Sequence, residues 1–285
     1  MLEIVPSDAV IGATLPGVDL GRHVSSTLLD SIEEALERYG VLVFPEQNLT
    51  PRQQVAFSRR LGTLETYEYE DGGLADYPEI CQVGNADGRR ISFSPNTPDG
   101  ELEWHSDHIH LPTPARASLL YATQVPSRGG DTYFACMYHA YNALRPTQKA
   151  KYQALTLIHS VSGLRDYLHE HGDYAEESLG VTPGTVYGCF PLVRHHPRTG
   201  RAALYFGSHV TIGVQGWSPD ETRALVRALT EHSTRPAFQY RHRWRKNDAL
   251  LWDNRRVLHA GAYYDIDRES RHMFRTTIRE DSPVV

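Results

Sequence analysis

Cysteine is scarce: Cys81, Cys136 and Cys189 are the only three in 285 residues. No two of them form a C-x-x-C pair, so the chain carries neither a disulfide framework nor a zinc knuckle. The expected setting is a reducing compartment. The opening "MLEIVPSDAV" has no basic stretch followed by an apolar one, so it does not read as a signal peptide. No apolar run approaches the length of a membrane span. Long basic runs are missing too. The net charge is −6, and the one local cluster, "RHRWRK" at 241–246, alternates like a solvated strand face. The electrostatic footprint of a nucleic-acid binder is therefore absent. Together these absences point to a cytoplasmic protein that handles neither nucleic acid nor membrane; self-association as a homo-oligomer stays open.

What is there is ordinary globular material, 40% apolar and 22% charged. No repeat or low-complexity linker divides residues 1–285, which read as a single domain. Near the N-terminus "TLLDSIEEALERYG" places Leu28, Leu29, Ile32, Ala35, Leu36 and Tyr39 at helical spacing. Thr27 is the expected cap and Gly40 the expected stop. "VLVF" (41–44) reads as a buried strand. Thr50-Pro51-Arg52-Gln53 opens the next helix with a capping box and a first-turn proline. Beyond residue 80 short apolar or alternating runs take over: "SLLYATQV", "DTYFAC", "AALYFG", "FQYRHRW", "ALLWDN" and "MFRTTI". Two helices interrupt them, one at 147–156 and one after the capping box Ser218-Pro219-Asp220-Glu221. The fold expected is mainly β, a sandwich or jelly roll with flanking and inserted α-helices. Residues 65–104, rich in Tyr, Gly, Asp, Asn and Pro, read as a long loop or lid over a site.

The stretch "WHSDHIH" (104–110) crowds His105, Asp107, His108 and His110 together. Such side chains are costly to bury unless something pairs with them. On an extended segment His105 and Asp107 point to one side. An imidazole and a carboxylate make two parts of the facial triad of non-haem iron(II) oxygenases, whose third member is a remote histidine. His-x-Asp alone is weak, because it recurs by chance. Downstream, "LLWDNRRVLHAG" supplies His259 at the end of a strand-like run, and "RHMFRTTI" supplies Arg271 and Arg275 at strand spacing. Two cations on one face suit an acidic cosubstrate.

In this order of residues the chain resembles the Fe(II)/2-oxoglutarate-dependent dioxygenases of the taurine dioxygenase and 2,4-dichlorophenoxyacetate dioxygenase group. The resemblance runs through "GVDL", "YGVLVFPEQNLTPRQQVAFSRRLG", "WHSD", "GGDTYFA", "FPLVRHHPRTGRAALYFG" and "WDNRRVLHAG". It implies a double-stranded β-helix core, Fe(II) held by His105, Asp107 and His259, and 2-oxoglutarate held by Thr132 and Arg271. The implied chemistry consumes dioxygen, converts the 2-oxo acid to succinate and carbon dioxide, and oxidises a C–H bond, most simply by hydroxylation. The carboxylate of Asp107 argues against a halogenase, in which a small residue stands at that place.

The resemblance carries less for the substrate. Arg275 matches the arginine that meets the substrate's acidic group in this family, which implies a small anionic substrate. Tyr67 stands at or near the place of the histidine that binds sulfonate in the taurine enzyme. His108, not needed by the metal, is assigned with Tyr67 to the substrate pocket. The phenoxyacetate branch uses a lysine in the loop after the first helices; the only lysines here are Lys149, Lys151 and Lys246, so that loop has diverged. Within the family the expected reaction is oxidation of a small organic acid, with ether cleavage as in aryloxyacetate catabolism, and hydroxylation or desaturation of an amino-acid-derived or natural-product substrate is the alternative. Two classes outside the family stay open. A cupin-like metalloenzyme would work without 2-oxoglutarate, and a non-catalytic ligand-binding jelly roll would form no succinate.

Overall fold

Strand parity builds the architecture, because successive side chains of a strand face opposite ways. In the strand Val41–Phe44, Val41 and Val43 enter one apolar cluster while Leu42 and Phe44 enter another. The strand Ala249–Asp253 repeats the division, with Leu250 and Trp252 on one side and Ala249 and Leu251 on the other. Leu120 and Ala122 are likewise separated from Leu119 and Tyr121. Both faces of this sheet are therefore buried, which explains why its strands read as continuous apolar runs.

The computed structural model describes residues 2–68, 72–85, 102–164, 166 and 188–281. Within them the large sheet has eight strands in the order β1 (Val5–Pro6), β2 (Ala13–Thr14), β3 (Val41–Phe44), β14 (Ala249–Asp253), β6 (Ala115–Gln124), β16 (His272–Arg279), β5 (Tyr77–Gly84) and β4 (Gly73–Leu74). Three smaller sheets join β13 (Gln239–His242), β7 (Thr132–Cys136) and β15 (Val257–Gly261); β12 (Thr211–Val214), β8 (Thr156–His159) and β9 (Gly188–Pro191); and β10 (Val193–His195) with β11 (Ala202–Leu204). One core cluster lies between the large sheet and the smaller ones, joining Leu120, Leu250 and Trp252 to Phe134, Leu157, Leu192 and Leu258. The other lies under α1 (Ser26–Tyr39) and α2 (Pro51–Leu61), which contribute Ile32, Leu36, Val55 and Phe57. The fold is thus mainly β with helices outside and between. No helix among the described residues is long and apolar enough to cross a membrane.

The capping boxes of α2 and of the long helix Pro219–Ser233 form as expected. Helix α1 differs at its start: Ser25, not Thr27, caps it, with its side chain accepting from the Leu28 amide. Gly40 closes it in the left-handed region at φ 76°. The loop expected over 65–104 needs a larger correction. Tyr77–Gly84 is a strand of the large sheet, with Ile80 and Cys81 buried and Cys81 paired to Arg275. Pro78 suggested loop, but it lies outside the four residues that pair with β16, so no ladder bond is lost there. Residues 69–71 and 86–101 of the expected lid lie outside the described residues. The helices at 146–153 and 219–233 are joined by one not expected, Met137–Asn142.

Acid sensitivity is built into this core. His159 on β8 is fully buried, its ring stacked on Phe190 and edge-on to Tyr205, and its Nε2 has no hydrogen-bond partner. Burial, followed by His110 and Arg194, pulls its pKa down to about 3. An unfolded histidine titrates near 6.5, so between these values the unfolded chain binds the extra proton and stability rises with pH. The melting temperature is expected to fall as the pH is lowered from about 7 to about 4, with buried carboxylates contributing only at the acid end. His159→Phe should make that slope shallower; an equally steep variant would remove His159 from the account.

Candidate metal centre

Two histidines are brought face to face by backbone hydrogen bonds. His105 lies outside any named strand but forms an isolated antiparallel bridge with His259 of β15. The His105 amide donates to the His259 carbonyl at 3.0 Å, and the His259 amide donates back at 2.8 Å. Paired residues carry their side chains on the same side, and the imidazole centroids lie 4.2 Å apart. His259 is packed by Trp252 and Phe134 at ring distances of 4.9 and 6.1 Å. Burial first, then His105, lowers the His259 pKa to about 3, so its imidazole is neutral at physiological pH. The ring of His105 is aimed by Glu103: Nδ1 lies 3.1 Å from the Glu103 carbonyl and 3.3 Å from its carboxylate. Two acceptors there fix the proton on Nδ1 and leave the Nε2 lone pair free for a metal. Glu103 was not singled out from the sequence, although its place two residues before His105 is the signal that would have found it.

Asp107 follows at the head of a turn rather than in a strand. The i, i+2 convergence expected from "HSD" nevertheless holds. Asp107 Oδ1 is 4.0 Å from His105 Nε2 and 3.9 Å from His259 Nε2. One ligand atom from each of the three residues lies within 4.8 Å of the others. Two imidazole nitrogens and one carboxylate oxygen suit an octahedral iron(II) with one face covered and three positions open. Burial opposes ionisation of Asp107. Arg275 foremost, with the Ser118 hydroxyl, overcomes it and holds the carboxyl below its usual range. Arg275 Nη1 donates to Oδ1 at 2.8 Å and Ser118 Oγ donates to Oδ2 at 2.6 Å.

The remaining expected residues fall at different distances from this centre. Arg275 touches it directly, on Asp107. Tyr67 donates its hydroxyl to Thr277 at 2.8 Å, and burial pushes its pKa to about 12. Its ring lies 6.2 Å from that of His108. His108 takes the left-handed region at φ 53°, uncommon for a residue with a side chain. Its Nδ1 is buried without a hydrogen-bond partner, and Glu65 Oε1 is 3.8 Å away. Thr132, buried at the start of β7, accepts from Trp244 Nε1 at 2.9 Å. Arg271 is buried just before β16, its backbone amide donating to Asn85 Oδ1 at 2.8 Å. Its Cδ lies against Gly130, two residues before Thr132, where an added Cβ would meet it at 3.6 Å. No carboxylate among the described residues pairs with the Arg271 guanidinium, and its Nε has no partner. Burial lowers its pKa to about 10, which still leaves it cationic.

The model of the family described as taurine catabolism dioxygenase TauD, TfdA family matches residues 3–277. An (S)-phenoxypropionate/alpha-ketoglutarate-dioxygenase from Sphingobium herbicidovorans is 34% identical, over 98% of this chain and 95% of that protein. An alpha-ketoglutarate-dependent 2,4-dichlorophenoxyacetate dioxygenase from Cupriavidus pinatubonensis is also 34% identical, over 98% of both chains. The crystal structure of AAD-2 in complex with Mn(II) and N-oxalylglycine superposes with a TM-score of 0.82 at 32% identity and covers 100% of both chains. N-oxalylglycine is 2-oxoglutarate with one methylene replaced by NH, and Mn(II), like iron(II), is a divalent first-row ion that accepts octahedral coordination. With the His-Asp-His centre and a full-length match in hand, the chain belongs to the TauD, TfdA family and is a dioxygenase that uses Fe(II), 2-oxoglutarate and dioxygen.

Proposed function

We propose that His105, Asp107 and His259 hold the Fe(II), that Thr132 and Arg271 hold the distal carboxylate of 2-oxoglutarate, and that the substrate is a small organic acid met by Arg275. The observation that carries this reading is Arg271, a buried guanidinium with no protein carboxylate beside it among the described residues. An unpaired buried charge costs several kcal/mol. A cosubstrate that arrives as a dianion removes that cost and gains a charge-assisted pair. The core is read as a double-stranded β-helix. Arg275 and Ser118 come from the large sheet and His259 from a smaller one, so the metal position lies between two β layers. The three cysteines are free, in keeping with a reducing, cytoplasmic setting.

The names of the two enzyme relatives specify aryloxyalkanoic acids, and the same class is proposed here. Dioxygen would be the oxidant, and bound Fe(II) and 2-oxoglutarate would activate it for attack on an unactivated C–H bond. The chain's own part is to hold the acid end, so that one carbon faces the metal position. If that carbon also bears the ether oxygen, its hydroxylation gives a hemiacetal or hemiketal, which collapses to a phenol and a 2-oxo acid. Arg275 is suited to the acid end because its Nε is buried and has no hydrogen-bond partner, while Nη1 is engaged by Asp107. His108 and Tyr67 would form the neighbouring wall, with an aromatic body and polar edges.

Three outcomes are expected. Under anaerobic conditions Fe(II) with 2-oxoglutarate should give a visible charge-transfer band, which His105→Ala and His259→Ala abolish. His110→Ala should keep it, and loss of the band there instead would move the ligand assignment. Arg271→Ala should raise the 2-oxoglutarate requirement about ten- to a hundred-fold, the equivalent of about 1.4–2.7 kcal/mol, with metal affinity nearly unchanged. An unaltered requirement would put the cosubstrate elsewhere. Arg275→Ala should raise the KM for an aryloxyalkanoic acid by an order of magnitude or so while uncoupled succinate release continues. A best substrate without charge, or normal handling of the acid by that variant, would refute the substrate reading.

A further inference from the structure

The Asp107 carboxylate has two oxygens, and only one faces the two imidazoles. We propose that Asn254 is the positioning residue that fixes this choice, acting through Ser118. The inference rests on the reading of His105, Asp107 and His259 as the metal ligands.

Asn254 sits in the turn after β14 and is buried. Its Oδ1 accepts from Trp252 Nε1 at 2.9 Å and from the Asp107 amide at 3.3 Å. Two N–H donors on one atom settle which end of the amide is oxygen. Nδ2 then points to Ser118 Oγ at 2.9 Å. Ser118, on β6, is fully buried and accepts that bond, so its single proton is directed to Asp107 Oδ2 at 2.6 Å. The Asn254 backbone is tied as firmly: its carbonyl accepts from Ser106 Oγ at 2.7 Å, and its amide donates to the Arg116 carbonyl at 3.0 Å. The asparagine side chain thus holds the Asp107 amide directly and, through a serine, the far oxygen of the carboxylate.

The consequence concerns coordination number. Ser118 holds Oδ2 away from the imidazoles, and Oδ1, which also accepts from Arg275 Nη1 at 2.8 Å, is the oxygen turned toward His105 and His259, at 4.0 and 3.9 Å. Asp107 is therefore held to one coordinating oxygen. A carboxylate free to turn can chelate through both oxygens and take a second position. The 2-oxo acid and dioxygen together need all three positions left by a facial triad. Neither Asn254 nor Ser118 is placed to touch the metal; they keep those positions open by restraining the carboxylate.

Titration with Mn(II), followed by the EPR signal of the free ion, tests this without turnover. Ser118→Ala should weaken Mn(II) binding ten-fold or more, the usual cost of losing a partner of a ligand. Asn254→Ala should do the same. Because the asparagine acts through the serine, the double variant should lose less than the product of the two single losses. Ser106→Ala is the control, since it removes another buried hydrogen bond to Asn254 without touching the carboxylate. It should bind Mn(II) like the parent even if its melting temperature falls. Should Asn254→Ala not fold, Ser118→Ala against Ser106→Ala decides the matter. The proposal is overturned if folded Ser118→Ala binds Mn(II) like the parent, if Ser106→Ala loses as much, or if the two single losses multiply. His105→Ala separates this from the reading beneath it. If that variant keeps the parent affinity, the ligand assignment has failed and this inference with it. If it loses binding while Ser118→Ala does not, only the role of Asn254 and Ser118 falls.

Discussion

A single buried carboxylate sets the terms for the rest of the structure. Asp107 is 3% exposed and ionised, which no apolar core tolerates without compensation. Its compensation comes from three directions: a guanidinium on β16, a hydroxyl on β6, and a backbone turn tied down by the residue that follows β14. Ser118 and Arg275 sit on neighbouring strands of the large sheet and Asn254 in the turn that leaves a third, so the register of β6, β14 and β16 must be right before the charge can be held. The pairing of Asp253 with Ala117 and of Thr277 with Ser118 records that register. Fold and site are thus one constraint, because a slip of one residue would turn Ser118 and Arg275 away from the carboxylate.

The two arginines near the centre show how local charge balance separates roles. Arg275 has a partner in Asp107, and although burial opposes it, that contact raises its pKa. Arg271, four residues earlier, has burial without a carboxylate, and its pKa is lowered. The first has an acidic partner within the protein on one of its nitrogens, while the second has none among the described residues. Under the proposed function, the contact of Arg275 with Asp107 would bring the acid end of a substrate close to the metal, as hydroxylation a few bonds from an acid group requires.

The convergence of His105, Asp107 and His259 was the most legible part of the sequence, since the order of His-x-Asp, "WDNRRVLHAG" and the two arginines carried the family resemblance that joins them. The helices beginning at Pro51 and Pro219 were legible for a different reason: their capping boxes are local chemistry. Met137–Asn142 escaped because it has no side-chain cap and continues an apolar strand without a break. Tyr77–Gly84 escaped because Pro78 and flanking glycines mimic a loop, while its partner β16 lies almost two hundred residues away and leaves no trace in the local pattern. Glu103, Ser118 and Asn254 were missed as contributors to the site. Their roles depend on contacts across β6, β14 and the His105 bridge, and spacing along one segment does not encode such contacts.

The most direct test is a crystal structure of the protein with Mn(II) and N-oxalylglycine grown without oxygen. It should show the ion bonded to His105, His259 and Oδ1 alone of Asp107, with the distal carboxylate of N-oxalylglycine on Arg271 and Thr132. An ion bonded through both oxygens of Asp107, or a distal carboxylate lying on Arg275 with Arg271 unpaired, would contradict it.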